Sequence, residues 1–169
     1  MRGYSRQKIR IKRVPILKGS RADAKTCALN LLSYRSRSRK ELLDRLKRKG
    51  FSDGQISDAV KSLERAGLIN DEGLAEELFR YSLERKPLGK RGLGALLARR
   101  GIDKELIDNT LSARTGEMEE KAALMLVEKK IRTLKNHPED IVKRRLWGML
   151  RRRGFSSGVI HKVIGLIGK

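Results

Sequence analysis

One pattern, written three times, limits what this chain can fold into more than any other feature. Counted from a glycine, leucine stands eight residues before it (Leu42, Leu93, Leu146) and four before it (Leu46, Leu97, Leu150). An apolar residue follows at plus one (Phe51, Ile102, Phe155), plus six (Ile56, Ile107, Ile160) and plus ten (Val60, Leu111, Ile164). The glycines are Gly50, Gly101 and Gly154, 51 and 53 residues apart. Spacings of four draw an apolar stripe on a helix before each glycine and another on a helix after it. The glycine supplies the left-handed residue that ends the first helix. Helical units recurring at such a period form a tandem array in which each unit contacts only its neighbours.

The start and stop signals around the pattern fill in the units. From Asp23 the spacing of Cys27, Ala28, Leu31 and Leu32 predicts a helix ending near Tyr34–Ser36. Ser38-Arg39-Lys40-Glu41 reads as a capping box before Leu42, Leu43 and Leu46, and Ser52 with Gln55 as a second box before Ile56, Val60 and Leu63. The next unit opens at Asn70-Asp71-Glu72, with Leu74, Ala75, Leu78 and Phe79 following. Pro87 interrupts it, so Lys86–Gly92 reads as a hinge, and Asp103 caps the helix of Leu106, Ile107 and Leu111. A third unit begins near Thr115 or Gly116, breaks at His137-Pro138 with Pro138 expected at the first helical position, and closes with Ser156, Ile160, Val163, Ile164 and Ile167. No segment reads as a strand. The expected architecture is all-α: three three-helix repeats (22–69, 70–114, 115–169) in an elongated, curved array, behind a flexible basic arm at 1–21. Pro15 bars a regular helix in that arm.

Charge points to the partner. The 169 residues hold 41 bases and 20 acids, a net charge of +21. Residues 1–21 and 141–169 each carry eight bases and no acid, so the two ends account for sixteen of the excess charges. Such concentration predicts an extended polyanion or an acidic protein surface as partner, reached by long-range steering and counterion release. Cys27 is the sole cysteine, which excludes an intrachain disulfide and fits a reducing compartment. With no secretory h-region and no apolar run near the ~18 residues that span a bilayer, the chain is expected to be cytoplasmic and free of membrane contact.

Catalysis finds no support in the residues. Two histidines, His137 and His161, and one cysteine make no metal set at ligand spacing, and no Gly-rich phosphate loop is present. Acidic pairs such as Glu76-Glu77 and Glu119-Glu120 read as solvated ion-pair partners on helix faces. A non-enzymatic protein without cofactor or metal, acting as a monomer, is expected.

The basic residues before each glycine carry two interpretations. At a helix C-terminus a cation contributes ~0.3–1 kcal/mol against the macrodipole, and this serves for Arg48-Lys49 and is the favoured account of Arg99-Arg100. Arg151, Arg152 and Arg153 differ, because Lys143, Arg144 and Arg145 lie two turns earlier on neighbouring stripes of the same helix. Capping explains only the last turn, so these six are the leading candidates for contact with protein or nucleic acid, with Arg99 and Arg100 added from the second repeat. Gly50, Phe51, Gly101, Ile102, Gly154 and Phe155 are assigned to the turn itself. Trp147 reads as a packing residue, with base stacking as the alternative.

Several of these pieces also carry a resemblance. They are Ser38-x-x-Glu41-Leu42 leading to Lys49-Gly50-Phe51, Gly67-Leu68-Ile69-Asn70-Asp71 with Ala75, Arg100-Gly101-Ile102, and Arg152-Arg153-Gly154-Phe155-Ser156. From Ala24 to Ile164 the chain resembles the RecX family of bacterial regulators, modulators of the RecA recombinase. Leu74 stands where that family more often has an aromatic, and Leu88-Gly89-Lys90 is a loose version of its second-unit turn. The resemblance implies a tandem three-helix fold that binds RecA and the helical groove of the RecA–DNA filament. It implies inhibition of filament growth, strand exchange, ATPase and co-protease activity, in DNA repair, recombination and the SOS response. Direct, sequence-independent DNA contact is a further expectation from the charge. The rival is a stand-alone helix-turn-helix protein, for which a recognition helix needs base-reading residues near its start. Only Gln55 suits that role.

Overall fold

The computed structural model describes residues 23–166, among which there are nine helices and no strand. The expected basic arm and Ile167 lie outside the described residues. The helices group in threes: α1 (Ala24–Tyr34), α2 (Arg39–Arg48) and α3 (Asp53–Arg65), then α4 (Asp71–Glu84), α5 (Lys90–Arg99) and α6 (Lys104–Ser112), then α7 (Gly116–Ile131), α8 (Glu139–Arg152) and α9 (Ser157–Gly165). None is long and apolar enough to cross a membrane.

The thrice-written pattern is one hydrogen-bonded corner. Gly50, Gly101 and Gly154 have φ of +86°, +75° and +82°, a conformation only glycine adopts without steric cost. Each glycine amide donates to the carbonyl three residues back, at 3.0 Å in all three. The following amide reaches the carbonyl of the minus-four leucine: Phe51 to Leu46 at 3.4 Å, Ile102 to Leu97 at 3.2 Å, Phe155 to Leu150 at 3.2 Å. This double bond pattern is the Schellman motif, and it brings the residue after the glycine onto that same leucine. The minus-four and plus-one positions recur because the corner needs both. The six patterned leucines are 0 % exposed, so each contributes the ~1.5–3 kcal/mol of a fully buried aliphatic side chain.

Caps follow the sequence closely. Ser52 and Gln55 form the complete reciprocal box, and the side chains of Ser38, Asp103, Thr115 and Ser156 each accept the amide three residues on. Pro138 is displaced by one position from expectation. It is the N-cap (ψ 150°), because its carbonyl accepts Val142 N at 3.0 Å while its own backbone stays extended.

The chain divides into two compact units, one ending at Asp71 and the other running from Glu72. In the first, α1, α2 and α3 close on a core that includes Ala28, Leu32, Leu42, Leu46, Val60 and Leu63. Beside that core the Glu41 carboxylate takes Arg35, Arg37 (2.5 Å) and Arg45 (3.2 Å). Burial would raise its pKa, but Arg35 and Arg37 together outweigh burial and hold the carboxyl below its ordinary value. Asp71 Oδ1 caps α2 by accepting Arg39 N at 2.8 Å.

The second unit holds two cores. Leu74, Ala75, Leu78, Leu93, Leu97 and Ile102 build one, and Ala123, Val127, Leu146, Leu150, Phe155 and Ile160 anchor the other. Main chain joins them. Gly89 N donates to Arg153 O at 3.0 Å and Arg91 N to Gly154 O at 3.2 Å. The approach is so close that a Cβ on Gly154 would overlap Gly92 N and lie 2.6 Å from Gly92 Cα. Gly89, at the N-cap of α5, has no side chain to offer, and Glu119 supplies the cap by accepting Lys90 N at 2.8 Å. Arg114, 4 % exposed, donates to Ser82 Oγ at 2.9 Å and to Leu88 O. Burial lowers its pKa and the Glu119 charge partly restores it.

The 86–92 stretch is therefore no hinge, contrary to the sequence expectation. Leu88 N is bonded to Ser82 O at 3.0 Å, and the carbonyls of Pro87 and Leu88 receive Arg153 and Arg114. A proline interrupts the helices here, and the bonds that proline frees are remade across the seam.

Candidate partner and nucleic-acid interface

The basic residues singled out from the sequence divide into two groups once folded. Lys143, Arg144 and Arg145 are exposed along α8. Lys143 pairs with Glu139 at 2.5 Å, and Arg145 Nη1 lies 2.8 Å from His137 Nε2. The exposed Lys143–Glu139 pair contributes little to stability, so it leaves Lys143 available to a stronger anion. Arg151 is exposed at the end of the same helix.

The second group is brought together by the seam. Arg99 and Arg100 end α5, and Arg152 and Arg153 end α8; main chain ties the start of α5, at Gly89, to Arg153, and all four arginines line one cleft along α5. Arg153 is partly spent on structure, with Nη1 3.5 Å from Pro87 O. The cleft measures about 850 Å³, and Leu78, Leu88, Gly92, Ala95 and Leu96 contribute its apolar surface. Sequence reading missed three further cations there: Arg80, Arg85 and Lys86, from the end of α4. The signal is Arg85-Lys86 directly before Pro87, where the proline marks a break in chain direction as well as a basic pair. Seven cations against two carboxylates, Glu77 and Glu84, give the cleft a strongly positive potential, and low-dielectric walls focus such a field.

Other assignments made from the sequence also find places. Trp147 is half-buried against the third core, its ring centroid 4.6 Å from that of His161 and tilted 53° to it, which is packing. Arg48 Nε turns back to Asp44 O at 3.1 Å, consistent with service to the helix end. Gln55, the residue best suited to reading bases, accepts Ser52 N through Oε1 at 3.0 Å and is committed to its cap. Among the described residues no group of three or more His, Cys, Asp or Glu is placed to hold a metal ion.

Comparison with known proteins places this arrangement. Residues 24–63 match the model of the first three-helix domain of RecX, and residues 118–164 that of the third. The regulatory protein RecX of Amycolatopsis mediterranei is 36% identical over 141 residues, spanning 83% of this chain and 81% of the relative. The chain belongs to the RecX family. The regulatory protein RecX of Mycolicibacterium smegmatis is likewise 36% identical over 147 residues, 85% of this chain and 78% of its own. The crystal structure of RecX from Lactobacillus salivarius superposes with a TM-score of 0.72 at 26% identity, covering 86% of this chain and 94% of that one. The RecX fold thus accounts for the nine helices and their grouping in threes. In this RecX chain the cleft lies along α4 and α5, with Arg152 and Arg153 closing one side.

Proposed function

We propose that this protein regulates the RecA recombinase without chemistry of its own, binding RecA and the RecA–DNA filament and mainly inhibiting ATPase, strand exchange and co-protease activity. Membership of the RecX family is the observation that carries the partner. The three repeats, 22–69, 70–114 and 115–169, then act in series as one monomer contacting neighbouring filament protomers. Inhibition then follows from cross-linking those protomers or occluding the DNA they hold.

The cations of the cleft, together with Lys143, Arg144, Arg145 and Arg151, are the proposed contacts to acidic protein surface and phosphate. Support comes from their charge and, for Arg144 and Arg151, their exposure. Phosphate contact of this kind ignores sequence and weakens steeply with salt. A filament assay tests the reading: RecA ATPase and strand exchange fall when equimolar protein is added, and unchanged rates refute it. An Arg151/Arg152/Arg153→Ala variant with intact helicity is expected to inhibit less, which separates ligand contact from helix capping.

A further inference from the structure

The cleft at the ends of α4, α5 and α8 contains more than charge. Tyr81, on its lining, is 42 % exposed. A tyrosine three residues after buried Leu78 would by spacing sit near the apolar face of α4, yet it remains partly open to solvent and lines the cleft with the cations. Its carbonyl accepts both Arg85 N at 3.1 Å and Lys86 N at 2.9 Å, so the chain turns off the helix directly beyond it. That turn carries two bases onto the same lining as the ring. Arg80, Arg85, Lys86, Arg99 and Arg152 form no ion pair among the described residues.

A concave basic surface with an exposed aromatic is the arrangement by which proteins hold single-stranded nucleic acid: cations follow the phosphates and a base stacks on the ring. A volume of about 850 Å³ is that of a small-ligand cleft, with room for a few nucleotides of one strand rather than for a duplex. An acidic peptide would satisfy the same cations but has no planar group to lay on Tyr81. We propose that this cleft binds a short run of single-stranded nucleic acid, with one base stacked on Tyr81 and the backbone held by Arg80, Arg85, Lys86, Arg99 and Arg152. The proposal rests on the reading above that the protein touches DNA directly, and it adds which form of DNA, where, and through which ring.

The test uses the full-length protein without RecA. Fluorescence anisotropy compares a labelled deoxythymidine oligomer, an abasic oligomer of equal length and a poly-glutamate peptide. The abasic strand keeps the phosphates and lacks the bases. Wild type is expected to prefer the deoxythymidine oligomer to the abasic one by roughly 5- to 150-fold, the equivalent of ~1–3 kcal/mol for one stacked base. Tyr81→Ala, with circular dichroism confirming the fold, is expected to abolish that preference, and Tyr81→Phe, which keeps the ring and its packing, to retain it. Arg99→Ala with Arg152→Ala should weaken both oligomers alike and flatten the salt dependence.

Equal affinity for the two oligomers, or a preference that survives Tyr81→Ala, overturns the proposal. Poly-glutamate binding as tightly as the deoxythymidine oligomer overturns it in favour of an acidic protein segment. RecA inhibition measured in parallel keeps the two claims apart. Inhibition with no base preference removes only the cleft assignment, whereas absent inhibition by wild type removes the regulatory reading.

Discussion

Gly50 and Gly154 occupy the same place in the same corner, with φ of +86° and +82°, yet alanine should cost very different amounts at the two. At Gly50 a Cβ meets nothing within 4 Å, so Gly50→Ala loses only the left-handed penalty of about 1–2 kcal/mol. At Gly154 the same methyl group overlaps Gly92 N and sits 2.6 Å from Gly92 Cα. Backbone cannot rotate aside as a side chain would. The seam must open, and the bonds from Gly89 N to Arg153 O and from Arg91 N to Gly154 O weaken with it, at about 1 kcal/mol each or more where a group is left unpaired. Gly154→Ala should therefore cost ~3–5 kcal/mol in total. Trp147, the only tryptophan, packs on the third core, so its fluorescence in urea follows the second unit. With a slope of ~1–3 kcal/mol/M in urea, the midpoint should drop by roughly 2 M. Gly158→Ala serves as a control in the same unit, since its Cβ meets open space in a helix, and should stabilise by ~0.5–1 kcal/mol. If Gly154→Ala destabilises the second unit by no more than the ~1–2 kcal/mol left-handed penalty alone, the description of the seam is wrong.

Arg114→Met should cost ~2–3 kcal/mol, since Ser82 Oγ and Leu88 O lose a charged donor in a buried site. Arg114→Lys should restore only part of it, because one ammonium cannot reproduce a planar fork; the Trp147 transition reads both. Glu41 gives the first unit an acid sensitivity. A carboxyl held below its ordinary value of 4.5 stabilises above that pH, and the contribution is lost as pH falls through the lower folded value. Glu41→Gln should flatten that decline in melting temperature between about pH 5 and 3, and an unchanged profile would argue against the arginine cluster as its source. Ser52→Ala should remove ~1 kcal/mol of cap energy, measured by far-UV circular dichroism in urea.

The corners could be read from the sequence because their chemistry is local. A leucine, a glycine four residues on and an apolar residue after it specify a Schellman turn without help from elsewhere in the chain. The caps at Ser52, Asp103 and Ser156 were legible for the same reason. Lys86–Gly92 was not. Its proline and glycines are the ingredients of a flexible link, and what ties them down are backbone atoms of residues 153 and 154 and the side chains of Arg114 and Glu119, all distant in sequence. The cleft was half visible. Arg99, Arg100, Arg152 and Arg153 stand out in the sequence as basic pairs, but only the seam makes them neighbours, and only the fold shows that Arg80, Tyr81, Arg85 and Lys86 join them. Lys143–Arg145, the strongest signal in one dimension, lies off that cleft's lining.

A junction written in main chain has a consequence for dimension. Side-chain contacts can swell or settle as residues change, whereas amide-to-carbonyl bonds and three glycines without side chains admit one separation. The distance from the start of α5 to the end of α8 is thus set like the jaws of a fixed caliper. Drift in the surrounding residues can alter what the gap prefers to hold, but the gauge itself changes only when a methyl group appears at position 89, 92 or 154.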